Sequence, residues 1–239
     1  MVKEILSRLD KKLKYDFDVE AVCRKALQEV KNFRKISGRP ANNSDVPLEA
    51  VWVLSGSGSY YKKLLQVKSD QVNKENPWYH SQDRLRLNYA SFFIKSYEEK
   101  FSASPTLIYN GRKTQGNDLL EAIKKGALNI KRKNLLILSG GVRRTSDQVM
   151  NFRLPKKLSS KGGKKLAVLS SLAHLPRILR YMSAKSENFQ GFEVVPLAIS
   201  IGDKRGEKEM IKNEIKGIIE SIAKGNASAR PYPYKLNLF

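Results

Sequence analysis

Five short apolar runs, set apart by longer stretches of mixed character, give this chain its plan. They are Ala50 to Leu54 (AVWVL), Thr106 to Tyr109 (TLIY), Asn134 to Leu138 (NLLIL), Leu166 to Leu169 (LAVL) and Phe192 to Ile199 (FEVVPLAI). Runs of this length without polar alternation are the mark of strands buried on both faces. Between them the spacing turns helical. Asp83 to Tyr97 offers Leu85, Leu87, Ala90, Phe93 and Ile94 to an inner face, while Asn117 to Leu128 and Thr145 to Phe152 read as two further helices. Pro176 suits a first helical turn and predicts a helix from near Leu175, and Glu207 to Ala223 is a closing amphipathic helix. Strands alternating with helices predict an α/β, Rossmann-like fold: a mostly parallel sheet of about five strands with helices on both faces.

Ahead of the first strand, residues 1–36 read as two helices, the second striped by Val19, Val22, Leu27, Val30 and Phe33. Turn-forming Gly38, Pro40, Asn42, Asn43, Ser44 and Asp45 follow. The expected organisation is an N-terminal helical extension and linker (1–46), a Rossmann-like domain (47–225) and a tail (226–239) laid along the surface. Residues 60–80, with Trp78, Tyr79 and His80 near their end, exceed a minimal strand-to-helix loop and read as a lid or rim.

Composition narrows the setting. No stretch approaches the roughly 20 apolar residues of a membrane helix, and the charged, amphipathic N-terminus lacks the apolar core of a secretion signal, so a soluble cytoplasmic protein is expected. The single cysteine, Cys23, reads as a core-facing helical residue, and with only two histidines beside it no zinc ligand set is visible. A net charge of +22, from 45 Lys and Arg against 23 Asp and Glu, implies attraction to polyanions. The lysines lie in scattered pairs, which suits a solvated surface; a nucleic-acid-binding role, with Trp78 and Tyr79 among basic residues, stays open beside it.

Four of the five strands run into small or polar residues: Ser55-Gly56-Ser57-Gly58, Asn110-Gly111, Ser139-Gly140-Gly141 and Ser170-Ser171. On one edge of a parallel sheet such tips let backbone amides approach a phosphate or carboxylate. The first lacks the Gly-Lys-Ser/Thr of a Walker loop and does not complete the dinucleotide fingerprint. His174 is the candidate titrating catalyst. Arg84, Arg177 and Arg143 are candidate forked donors to the ligand. Thr145 caps its helix or faces the ligand; Asp147 holds a ribose hydroxyl, orients His174 or balances the helix dipole; Asp118 and Glu121 are a second carboxylate or solvated helix residues.

From Glu49 to Ile199 the chain resembles the family of unknown function that includes the YdcF, SanA and ElyC proteins. The resemblance rests on Arg84 with Ala90, on Thr145-Ser146-Asp147-Gln148 where the family tends to show Thr-x-Glu-Asn, and on Ser170-Ser171 followed by His174-Leu175-Pro176-Arg177. It implies a Rossmann-like fold, a pocket at the strand tips and S-adenosylmethionine as a possible ligand. Two departures stand out: Ser139 replaces a glutamate, and Tyr109-Asn110-Gly111 replaces Ser-Gly-Gly. The expected function is binding of a nucleotide-like or otherwise anionic small molecule at the strand tips, with hydrolysis or group transfer if the protein is an enzyme. The alternatives are a basic nucleic-acid-associated protein and a scaffold that docks a partner through residues 1–36.

Overall fold

Hydrogen bonds between strands build one five-stranded sheet, all parallel, in the spatial order Leu135–Leu138, Thr106–Asn110, Leu48–Leu54, Lys164–Ser171, Phe192–Ile199. The computed structural model describes residues 1–40, 47–55, 82–128, 130–138, 144–153, 164–201 and 204–236. In chain order these form α1 (Val2–Leu6), α2 (Val19–Ile36), β1 (Leu48–Leu54), α3 (Gln82–Phe101), β2 (Thr106–Asn110), α4 (Lys113–Lys124), β3 (Leu135–Leu138), α5 (Thr145–Met150), β4 (Lys164–Ser171), α6 (Leu175–Ala184), β5 (Phe192–Ile199) and α7 (Lys204–Ala223). This is the α/β Rossmann-like architecture that the alternation of elements predicts. The excursion at 60–80, together with Gly56, Ser57, Gly58, the 139–141 tip and Arg143, lies outside the described residues.

The two central strands show why unalternated apolar runs belong here. Successive side chains of a strand point to opposite faces, yet Ala50 through Leu54 and Lys165 through Ser171 are buried at every position, so helices cover both faces. Trp52 on β1 packs its ring 4.0 Å from that of Phe152 and 5.8 Å from that of Phe189, tying the sheet to the segments after α5 and α6.

The helix before the first strand shares this core. Asp18 caps α2 by accepting from the Ala21 amide at 2.9 Å, and Val22, Cys23, Ala26, Val30 and Phe33 turn inward. Glu29, on the same face, meets Arg180 of α6 in a paired contact, Nη1 to Oε2 at 2.7 Å and Nη2 to Oε1 at 3.2 Å. Arg180 is fully buried and also donates to the Pro176 carbonyl at 2.9 Å. The tail covers the outer edge of the sheet: the Lys235 amide donates to Val194 at 3.0 Å, and Tyr234 sets its ring 5.5 Å from Phe33.

Three boundaries differ from the pattern. Ser170 and Ser171 do not break β4 but end it, because both still pair with β5 opposite Ala198 and Ile199. The helix expected over Asn117 to Leu128 starts at Lys113, where Gln115 Oε1 accepts from the Arg112 amide, and is stopped by Gly126 at φ +70°. Leu85, expected on the inner face of α3, is half exposed, and Arg86 takes the buried position next to it. Among the described residues no helix is long and apolar enough to cross a membrane.

Removing one partner of a buried ion pair leaves the other charge uncompensated. Glu29→Ala should therefore lower the unfolding free energy by about 3–5 kcal/mol in a urea titration, whereas exposed Glu20→Ala should cost under about 1 kcal/mol.

Candidate functional site

The strand order reverses at β1, with β2 on one side and β4 on the other, so the connections leaving these strands part in opposite directions at their carboxyl ends. An open parallel sheet has its ligand crevice at such a switch point. Ser55 follows β1 here, Asn110 and Gly111 close β2, and Ser170 and Ser171 close β4. The backbones approach closely, since a Cβ on Gly111 would fall 3.0 Å from both Cβ and Oγ of Ser55.

A polar latch holds α5 over these tips. Gln148 Nε2 donates to Ser55 Oγ at 2.8 Å and to the Asn110 carbonyl at 2.6 Å, and Asn110 Nδ2 returns a bond to the Gln148 carbonyl at 3.0 Å. All three side chains are buried. Gln148 stands one turn beyond Thr145 on the same face of α5, so the latch also sets where the Thr145 hydroxyl lies.

Thr145 meets a histidine supplied by the other half of the sheet. The His174 amide donates to the Ser171 carbonyl at 2.9 Å, and its own carbonyl accepts from Arg177 and Ile178, which fixes the residue between β4 and α6. Its Nδ1 lies 2.8 Å from Glu214 Oε2 of α7, and its Nε2 lies 3.1 Å from Thr145 Oγ1. Arg177 Nη1 lies 3.1 Å from the same carboxylate oxygen.

Electrostatics decide which way the protons point. Burial by itself would raise the Glu214 pKa. The Arg177 guanidinium, then the His174 ring with its hydrogen bond, and then Arg86 outweigh burial and hold the carboxyl at about 2. An ionised carboxylate can only accept, so the proton between the two groups sits on His174 Nδ1. Burial lowers the His174 pKa below its ordinary value, Arg177 and Arg86 add to the lowering, and Glu214 only partly opposes them. The ring is therefore neutral at pH 7 with Nε2 bare, and the Thr145 hydroxyl donates to it. The resulting chain, hydroxyl to imidazole to carboxylate, has the geometry of an activated nucleophile with its base and orienting acid.

Two cations frame this relay, Arg86 buried and Arg177 partly exposed. Arg177 finds room because α7 carries Gly217 one turn after Glu214, where a Cβ would come within 2.7 Å of Nη1. Arg86 Nη1 donates to the Leu54 carbonyl and to Asp83 Oδ1, each at 3.1 Å, while Asp83 Oδ2 accepts from Tyr109 Oη at 2.8 Å and Gln115 Nε2 at 3.2 Å. Around the same strand ends, Asn110 Oδ1, Gln148 Oε1, Ser170 Oγ and Ser171 Oγ are buried without a hydrogen-bond partner among the described residues.

The fold thus brings Ser55, Asn110, Gly111, Thr145, Ser170, Ser171, His174 and Arg177 to one edge. For several the contacts select one of the roles the sequence leaves open, and for others they give a different one. Thr145 is the first residue of α5 and not its cap, which leaves its hydroxyl for His174. Asp147 Oδ2 accepts from the Arg144 amide at 2.8 Å, closing the helix start, and the acid that orients His174 is Glu214. Arg84 is half-buried on α3, and the guanidinium whose field reaches the relay is Arg86. Glu121 pairs with Lys125 at 2.7 Å, and Asp118, partly buried, has its pKa raised by that burial and by Glu121. Glu214 did leave a trace in the sequence: it falls between Met210, Ile211, Ile215 and Ile218 on the apolar face of α7, where a solvated acid has no place.

A separate cleft of about 250 Å³ opens at the opposite, amino edge of the sheet, walled by Ile94, Leu107, Ile130 and the Lys131–Glu98 ion pair. It holds none of these groups. Among the described residues no three His, Cys, Asp or Glu side chains gather to hold a metal ion. Comparison with known proteins finds no matching family model and no matching curated protein.

The relay sets an acid limit on stability. His174 takes up a proton less readily folded than unfolded, so stability should decline as pH falls below about 6.5; Glu214, at about 2 folded against 4.5 ordinarily, should withdraw a second contribution as pH falls from 4.5 toward 2. Urea midpoints measured from pH 8 to pH 3 should show both declines, with His174→Gln removing the upper one and leaving the lower.

Proposed function

We propose that this protein is a cytoplasmic hydrolase or group transferase acting on an anionic, phosphate-bearing or nucleotide-like small molecule bound at the switch-point edge between β1 and β4. The observation that carries the reading is the neutral His174, oriented through Nδ1 by an ionised Glu214 and presenting a bare Nε2 to a hydroxyl at 3.1 Å. A general base must be unprotonated at working pH and within hydrogen-bond reach of the proton it takes, and His174 meets both conditions. The fields of Arg86 and Arg177 favour a substrate that carries negative charge. Membership of the YdcF-like family is part of the proposal. It rests on Arg84 with Ala90, on Thr145-Ser146-Asp147-Gln148 and on Ser170-Ser171 followed by His174 and Arg177, and it makes S-adenosylmethionine one of the ligands to try.

A thermal-shift screen against nucleotides, sugar nucleotides, S-adenosylmethionine and a short RNA tests the reading, paired with phosphate-release assays on the same compounds. One small-molecule class should raise the melting temperature, and His174→Gln should lower its turnover by about 10²–10⁴-fold. A shift with RNA alone, equal in wild type, His174→Gln and Arg177→Ala, would move the function to the basic surface.

A further inference from the structure

Thr145 offers more than a hydrogen bond to its base. Its Oγ ends the relay: His174 is nine-tenths buried between it and Glu214, and Thr145 is partly exposed at the edge where a substrate would arrive. Two elements from opposite halves of the sheet are needed to bring this hydroxyl to Nε2, and each is independently fixed. The Gln148 latch holds α5, and the Ser171–His174 turn holds the ring. A threonine serving only as the start of its helix has no need of a histidine acceptor, because the helix is already closed by Asp147 on the Arg144 amide.

We propose that Thr145 is the nucleophile and that turnover passes through a covalent phosphothreonine at this position. The proposal rests on the hydrolase or transferase reading above and names its first step. The substrate class it implies is a phosphoester. As Thr145 Oγ forms its bond to phosphorus, its proton passes to His174 Nε2, and the bond from phosphorus to the leaving oxygen breaks with its electron pair on that oxygen. His174 then returns the proton to the departing alkoxide. In the second half water, or an acceptor hydroxyl in a transferase, gives its proton to the same Nε2 and its oxygen bonds to phosphorus. The Thr145 Oγ–P bond breaks, and the proton returns to Thr145. Glu214 stays ionised throughout and stabilises the imidazolium that forms at each half. Arg86 and Arg177 supply positive charge while negative charge gathers on the phosphoryl oxygens.

A fluorophosphonate probe reads this step directly, because attack by Oγ expels fluoride and leaves a stable adduct. Intact-mass and peptide mass spectrometry on the full chain should locate one adduct on Thr145. Thr145→Ser should keep it, and Thr145→Val and His174→Gln should each slow labelling at least 100-fold while retaining cooperative thermal unfolding. No adduct, or an adduct that persists in Thr145→Val, overturns the proposal. Hydrolysis of para-nitrophenyl phosphate separates it from the broader reading. His174-dependent hydrolysis that survives Thr145→Val would leave the enzyme in place and replace Thr145 by water as attacker. Hydrolysis indifferent to His174 would remove both.

Discussion

A carboxylate kept ionised inside the protein is the constraint around which this edge is arranged. Glu214 sits on the apolar face of α7, where burial opposes its charge. An isolated buried charge is far too costly to keep, so its partners are obligatory. Arg177 supplies the countercharge and His174 supplies a donor. Both come from the segment that leaves β4, so the ionised acid also dictates how α7 must lie against α6. Gly217, which weakens a helix interior by about 1 kcal/mol relative to alanine, is explained by the guanidinium that needs its space.

The same charge reaches outward through the ring. By accepting from Nδ1 it chooses the tautomer, and by choosing the tautomer it leaves Nε2 as an acceptor facing Thr145. The hydroxyl must then be held in place, and that falls to groups on the far side of the switch point. Gln148 joins the ends of β1 and β2 to α5 through buried hydrogen bonds. Ser55 and Asn110, with Gly111 beside them, therefore act on the site by positioning α5. The glycine permits a close approach of backbones here, and the ligand-cradling role expected of such tips is not the only use for a small residue.

Much of the fold was legible along the chain. The five apolar runs became the five strands, and the Pro176 signal placed the start of α6 at Leu175. Legibility failed where two interpretations share one local pattern. Ser170 and Ser171 look like the loop after a strand because hydroxyls follow an apolar run, yet β5 is long enough to pair with them and they form the last two residues of β4. Leu85 and Arg86 are neighbours on α3, and hydrophobicity favours the leucine for the interior. The Leu54 carbonyl and Asp83 give the arginine partners that reverse the choice. In the site, His174, Thr145 and Arg177 stand out by residue type and by their position after strands, whereas the sequence leaves Asp147 open as a ribose contact, an orienter of His174 or a first-turn acid; the structure puts it at its helix start and Glu214 on His174.

By itself the sequence determined the layer architecture, because hydrophobic periodicity reports how many faces of each element are covered, and that is a local property. It also determined which edge would gather the polar strand ends, since in a parallel sheet they all fall on the same side. Only the tertiary structure decided the partners. Thr145, His174 and Glu214 are 29 and 40 residues apart in turn, and their meeting depends on strand order, helix placement and the direction of three side chains. No local pattern encodes those distances, whereas the strength of a proton relay depends on them steeply.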